Sequence, residues 1–250
     1  MSKIQQKTSN KVNRNRLTDK VILVLGASGD IGLAISDLLG QNKAIVCRHG
    51  RNNDYSADVR SENQIKQIVE NIAGRFGRID VVINALSAPI KIAPVFKKDW
   101  STFLDHFSVQ LKAEIDIVQA VVPHMRLQKK GHFINILSSV VAGGFPTNCA
   151  DYITAKYAML GFSRCLYKEL HRFGIKVVCI SPDFILTKLT AEFPAKLGEV
   201  LASENSSKRL TQPNDVAVLV KEIIYNSDGY DGKNIIMSGG RVTASVNLVD

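Results

Sequence analysis

Residues 21–25, Val-Ile-Leu-Val-Leu, run directly into Gly26-Ala27-Ser28-Gly29-Asp30-Ile31-Gly32, after which Ile31, Ala34, Ile35, Leu38 and Leu39 recur at helical spacing. A continuous apolar run of this length fits a strand buried on both faces, as in parallel sheets covered by helices. Strand, glycine-rich turn and helix, in that order, leave few folds open. The glycines let backbone approach a ligand closely. The helix start offers unpaired N–H groups and the positive end of the helix dipole. Gly26, Ser28, Asp30, Ile31 and Gly32 are therefore expected to hold the pyrophosphate of a dinucleotide.

The rest of the chain continues the alternation. Strand-like runs occur at 44–47, 55–59, 80–84, 133–137, 175–180 and 234–237, the last being the final strand expected. Between them lie an amphipathic helix on Ile65, Ile68, Val69, Ile72 and Phe76, a long one over 99–127, one over 151–172 and one over 213–225. In the long helix Phe103, Phe107, Leu111, Ile115, Val118 and Val122 keep a three-to-four-residue rhythm, and Pro123 is expected to kink it or mark a weak turn. Residues 183–211 read as a mobile lid of short helices. Only a short stretch separates the second and third strands, so a crossover helix is shortened or missing there. The pattern predicts an α/β, Rossmann-type, doubly wound parallel sheet of about seven strands in a single domain over residues 20–250.

Residues 1–19 form an expected flexible basic arm. Residues 1–20 carry +5 of the net charge of +9, which leaves a modest +4 on the rest, and no nucleic-acid partner is expected. No apolar run approaches the ~20 residues needed to span a bilayer, and the N-terminus lacks an apolar signal core. Cys47, Cys149, Cys165 and Cys179 are scattered, without metal-like pairing. These features predict a cytoplasmic protein with reduced thiols, no membrane association and no metal site.

The segment after the second strand, Arg48-His49-Gly50-Arg51, has no carboxylate to meet an NAD ribose. Arg48 and Arg51 both suit the bidentate bonding of a 2′-phosphate, which favours NADP(H) and leaves NAD(H) as the alternative. Asp58 and Val59, at the end of the expected third strand, are placed against the adenine. A second constellation lies over Ser138–Lys156. The strand at 133–137 delivers Ser138 and Ser139 to its end, and a helix then carries Tyr152 and Lys156 one turn apart on one face. A hydroxyl, a phenol and a cation brought together form an acid–base site.

With these motifs in order, the chain resembles the short-chain dehydrogenase/reductase family over residues 20 to about 245. The resemblance rests on the glycine turn, on Asn84-Ala85 after the fourth strand, on Ser139 thirteen residues before Tyr152, on Tyr152-Ile-Thr-Ala-Lys156, and on Pro182-Asp183-Phe184-Ile185-Leu186-Thr187. It implies that Tyr152 exchanges a proton with the substrate oxygen. Lys156 would lower the pKa of that phenol and hold the nicotinamide ribose. Ser139 would bond the carbonyl oxygen, with Ser138 as the alternative that the spacing disfavours. Asn84, Ala85, Pro182, Ile185 and Thr187 would line the nicotinamide. Gln110 stands where the family has a relay asparagine. Asp30, Leu86 and Asp183 replace family glycines, each placing a side chain near the cofactor.

The resemblance is nearest to 3-oxoacyl-carrier-protein reductase-type members. It implies an NADP-dependent reductase of a ketone or β-keto group, acting on a small molecule or a carrier-protein-bound one, with Lys129, Lys130 and Arg172 facing the carrier. A homodimer or homotetramer is expected from the apolar faces at 103–122 and 152–166. The rival readings are an NAD-dependent alcohol or sugar dehydrogenase and a catalytically impaired, cofactor-binding regulatory protein.

Overall fold

The computed structural model describes residues 17–50, 53–144 and 146–249. Six strands run parallel: β1 (Val21–Leu25), β2 (Ile45–Arg48), β3 (Val81–Asn84), β4 (Gly131–Ile136), β5 (Ile175–Pro182) and β6 (Lys233–Ser238). A seventh, β7 (Arg241–Asn247), pairs antiparallel with β6, and the sheet order is β2-β1-β3-β4-β5-β6-β7. The helices are α1 (Asp30–Gln41), α2 (Glu62–Phe76), α3 (Trp100–His106), α4 (Ala113–Gln128), α5 (Ala150–Leu170), α6 (Ala195–Glu204), α7 (Pro213–Tyr225) and α8 (Ser227–Tyr230).

Side-chain alternation along the strands builds two cores. Leu23, Leu25, Val82, Phe133 and Val177 face α2, α4 and α5, whereas Ile22, Val24, Ile83, Ile134 and Val178 face α1 and α7. Each fully buried Leu, Ile or Val contributes roughly 1.5–3 kcal/mol. Both faces of the sheet are thus covered, as the continuous apolar runs predict. Because the strands are parallel, the turns after β1, β3, β4 and β5 emerge along one edge, where ligands bind in such sheets. Leu17 is already in the second core, and its N–H donates to the Asn42 carbonyl (3.2 Å). The first sixteen residues of the expected arm lie outside the described residues.

Three expectations are corrected. Residues 55–59 are not a strand: only an isolated bridge, His49 to Tyr55, forms, and β2 is the sheet edge. With no strand there, α2 is itself the crossover from β2 to β3, and no crossover helix is missing. Asn234–Met237 is not the last strand. Gly239 and Gly240, with φ of 57° and 76°, turn the chain into β7, and two consecutive positive-φ glycines are the signature of a tight hairpin.

The third correction concerns the long helix, which is interrupted at Phe107–Lys112 by a π-helical segment. The wider turn rotates the register of the helix beyond it. The fully buried stripe is consequently His106, Val109, Gln110, Ala113, Glu114, Ile117, Val121 and Met125, while Phe103, Phe107, Leu111, Ile115, Val118 and Val122 are half-buried. Pro123 sits inside α4 without ending it. Among the described residues no helix is long and apolar enough to cross a membrane.

Candidate active site

The turn after β1 is a backbone cradle. Gly26 has φ +76°, and a Cβ there would lie 2.8 Å from the Ala85 carbonyl oxygen; at Gly32 it would lie 2.2 Å from the Gly26 oxygen. Only glycine permits this approach. The N-cap of α1, Gly29, carries no side-chain cap, so the first N–H groups of the helix are left for an anion. The Ser28 hydroxyl accepts from Asn53 Nδ2 (3.2 Å), and Ile31 packs against the α1 core. The carboxylate of Asp30 turns across the cleft, where its Oδ2 accepts the Lys188 N–H (2.7 Å). These features fit a dinucleotide pyrophosphate.

At the adenine end Arg48 is paired with Asp37 of α1 (2.8 Å), in an exposed position. Arg51 lies outside the described residues. His49 is buried, and its Nε2 meets the Ala57 carbonyl (3.1 Å), which holds the short loop. Asp58 accepts the Arg60 N–H (3.0 Å), while Val59 belongs to the core; neither ends a strand.

After β3, Asn84 Oδ1 accepts the Leu86 N–H (3.0 Å), and Asn84 Nδ2 donates to Glu114 Oε2 (2.6 Å). The Leu86 side chain joins the core. After β5, Ser139 N–H donates to the Pro182 carbonyl (2.8 Å). Ile185 is buried, and Thr187 caps a short turn, with Thr190 Oγ1 accepting its N–H (3.0 Å). Asp183 Oδ2 accepts from Asn205 Nδ2 (3.1 Å) and from Gly239 N–H (2.9 Å). The replacements at 86 and 183 thus serve the core and the tie between β5, Asn205 and the turn after β6.

Ser138 and Ser139 follow β4, both half-buried, and Ser138 pulls the Tyr152 phenol towards its ionised form. Lys156 is buried and donates from Nζ to the Ile136 carbonyl (2.9 Å); it lies 5.8 Å from the centre of the Tyr152 ring. Burial pushes Tyr152 up to about 12, against the pull of Ser138, and pulls Lys156 down to about 8. Loss of water is the dominant influence on the phenol in this arrangement.

Gln110 is buried, and its amide Nε2 meets His106 Nδ1 (2.9 Å). The His106 ring meets the Tyr152 ring edge-on at 5.9 Å between centres, and His106 Nε2 is 4.0 Å from Asp151 Oδ2. Lys98 Nζ donates to Asp151 Oδ1 (2.8 Å) and Oδ2 (2.7 Å), with both side chains 1% exposed. Sequence reasoning missed Lys98, His106, Glu114 and Asp151. The available signals were His106 and Glu114 at four-residue steps either side of Gln110, and Asp151 next to Tyr152.

The chain matches the family described as enoyl-(acyl carrier protein) reductase over residues 31–241. It is 29% identical to a 3-oxoacyl-(acyl-carrier-protein) reductase of Thermotoga maritima, across 91% of this chain and 99% of that one. A gluconate 5-dehydrogenase from Burkholderia cenocepacia, solved with NADP and tartrate, superposes with a TM-score of 0.83 at 22% identity, over 91% and 96% of the two chains. An NAD⁺-bound xylitol dehydrogenase superposes with a TM-score of 0.81 at 22% identity, over 90% and 99%.

Proposed function

We propose, from the premise that this chain belongs to the short-chain dehydrogenase/reductase family of oxidoreductases, that it is an NADP-dependent reductase of a ketone or β-keto group. One observation carries this reading: the half-buried Tyr152, its phenol kept protonated well above neutral pH, stands one helical turn from Lys156 on the edge that also bears the glycine cradle. A protonated phenol is equipped to give a proton to a carbonyl oxygen, which is the requirement of reduction. A bound nicotinamide supplies the hydride. The Ser139 hydroxyl, with Ser138 beside it as the alternative, donates to the same oxygen and steadies its growing charge. One Lys156 N–H is spent on Ile136, which leaves two for a ribose hydroxyl and the tyrosine side. Gly26, Gly32 and the N-terminus of α1 would hold the pyrophosphate, and Asn84, Ala85, Pro182, Ile185 and Thr187 would line the nicotinamide.

NADP is favoured because β2 ends in Arg48 with no carboxylate after it. The solvent-exposed pair with Asp37 is worth little, so Arg48 is readily surrendered to a 2′-phosphate. Arg48→Ser is expected to raise the KM for NADPH about tenfold or more while leaving that for NADH near wild type, and steady-state kinetics with both cofactors read this. Equal effects on the two would return the choice to NAD. The overall reading is tested by NADPH consumption with simple ketones, 3-keto thioesters and the same thioesters on a carrier protein. No turnover on any of them would overturn it.

The carrier-bound form of the substrate has its own support. A groove of about 780 Å³ is lined by Val122, Arg126, Lys129, Arg172 and Phe173. Its floor, Phe173, lies 4.3 Å from the Arg126 guanidinium and 4.8 Å from that of Arg172. Such a basic, apolar-floored groove suits an acidic partner. It precedes β4 and β5, whereas Tyr152 follows β4, so a carrier docked there would serve the site of a second copy. A homo-oligomer is supported by exposed Phe96, Trp100 and Leu104 beside the half-buried aromatic face of α3. Four unpaired cysteines support a cytoplasmic setting.

A further inference from the structure

The buried polar chain behind Tyr152 has no part in the chemistry above. It joins three segments: Lys98 from the loop after β3, His106 and Gln110 from α3 and the π-helical segment, and Asp151 from the start of α5. Lys98 Nζ also donates to the Lys91 carbonyl (2.6 Å), and Asp151 Oδ1 also accepts the Tyr152 N–H (3.0 Å). Withdrawing both ions of a pair from water costs several kcal/mol per ion, which Coulomb attraction repays only with good geometry and further hydrogen bonds. A Lys–Asp pair shut away beside the tyrosine therefore calls for a role beyond stability.

The imidazole supplies that role. A neutral histidine has one acceptor nitrogen, and Gln110 Nε2 takes it at Nδ1. Its proton then sits on Nε2, the nitrogen facing Asp151. Protonation would put a second donor on Nδ1, opposite a donor, and the Gln110 amide would have to turn over to present Oε1, a buried acceptor without a partner. The groups facing His106 are Asp105 from its own helix, Lys98 from the loop, and Asp151, Tyr152 and Lys156 from α5. Burial holds His106 below its ordinary pKa; Asp151 pulls it up, and Lys156 and Lys98 pull it down. Of these, Asp151 lies within 4.0 Å, and Lys98 neutralises it.

We propose that His106 is a positioning residue for Tyr152, and that Lys98, by neutralising Asp151, keeps this imidazole uncharged and so couples the loop after β3 to the setting of the phenol. The inference rests on Tyr152 as the proton donor. Its test is the pH profile of kcat, with KM, cofactor affinity and circular dichroism, for wild type, Lys98→Met, Lys98→Met/Asp151→Asn, His106→Phe and His106→Asn. Lys98→Met is expected to lose about tenfold in kcat towards acid pH, as the lone Asp151 carboxylate draws a proton onto His106. The double variant, with no lone charge, loses that limb. His106→Phe keeps the ring but not the acceptor. It is expected to show a kcat lowered about tenfold at every pH, with unchanged cofactor affinity. His106→Asn offers Gln110 an amide oxygen and recovers part of that loss. A folded Lys98→Met with the wild-type profile overturns the proposal, as does wild-type kcat in His106→Phe. Should Lys98→Met not fold, the two His106 variants decide alone. Tyr152→Phe assayed alongside keeps the inferences apart: undiminished turnover there removes the proton donor, whereas a dead Tyr152→Phe with a fully active His106→Phe removes only the positioning role.

Discussion

Tyr152→Phe is expected to lower kcat by about 10²–10⁴-fold, the usual worth of a positioned general acid, while cofactor affinity and melting temperature stay near wild type. The variant deletes one oxygen and keeps the ring that packs edge-on against His106. Of the two serines after β4, Ser139 stands thirteen residues before Tyr152. Ser139→Ala is expected to cost about 10²–10³-fold in kcat, as for loss of one donor to a developing oxyanion, while its backbone N–H still holds Pro182. Ser138→Ala, which removes a hydroxyl that favours the ionised phenol, is expected to cost less. Single-turnover measurements with saturating cofactor read both. A loss confined to Ser138→Ala would make that hydroxyl the donor and overturn the spacing as the guide to this site.

The two serines show where a sequence is legible and where it stops. The strand, its end and the arrival of a hydroxyl there are written in Phe133–Leu137 and the residues after it. Which of two neighbouring hydroxyls points inward depends on the phase of the strand at its last residue, and spacing to a residue across a loop does not report that phase. The long helix departs from its pattern for a related reason. Its aromatic rhythm is real, but a π-helical segment rotates the residues after it, and no periodicity in the chain signals the extra residue per turn. His106, Gln110 and Glu114, polar and four apart, all lie on its buried side, where the resemblance places only Gln110.

Other features were legible because local chemistry alone decides them. Gly26 and Gly32 are required by contacts with Ala85 and with Gly26 itself, so the cradle stands in the sequence. The buried parallel strands carry continuous apolar runs for the reason that both faces are covered. The side chains that depart from the family pattern divide differently. Asp183 serves the β6–β7 turn and Leu86 the core, partners that only tertiary structure supplies. The ion pair of Lys98 and Asp151 joins residues far apart in the chain, and neither has a pattern of its own.

Glu114→Gln is expected to stabilise the protein by about 3 kcal/mol above about pH 7 and to leave stability unchanged at acid pH. Glu114 is wholly buried in α4, and burial pushes its carboxyl from 4.5 to about 7, against the hydrogen bond from Asn84 and the pull of the nearby Asn135 amide. Glu114 Oε1 and Asn135 Oδ1 are both buried acceptors without a partner, and a proton on Oε1 gives each one. Proton counts set the sign. Between about 4.5 and about 7 the native state holds this proton and the unfolded chain has lost it, so stability falls as pH rises through that window and levels off above it. A glutamine keeps the carbonyl that accepts from Asn84 and presents an N–H₂ to Asn135 with no charge to bury. Urea denaturation of wild type and variant at acid and alkaline pH measures the difference. A gap of equal size at both would show that the gain comes from packing and that the carboxyl does not hold the proton.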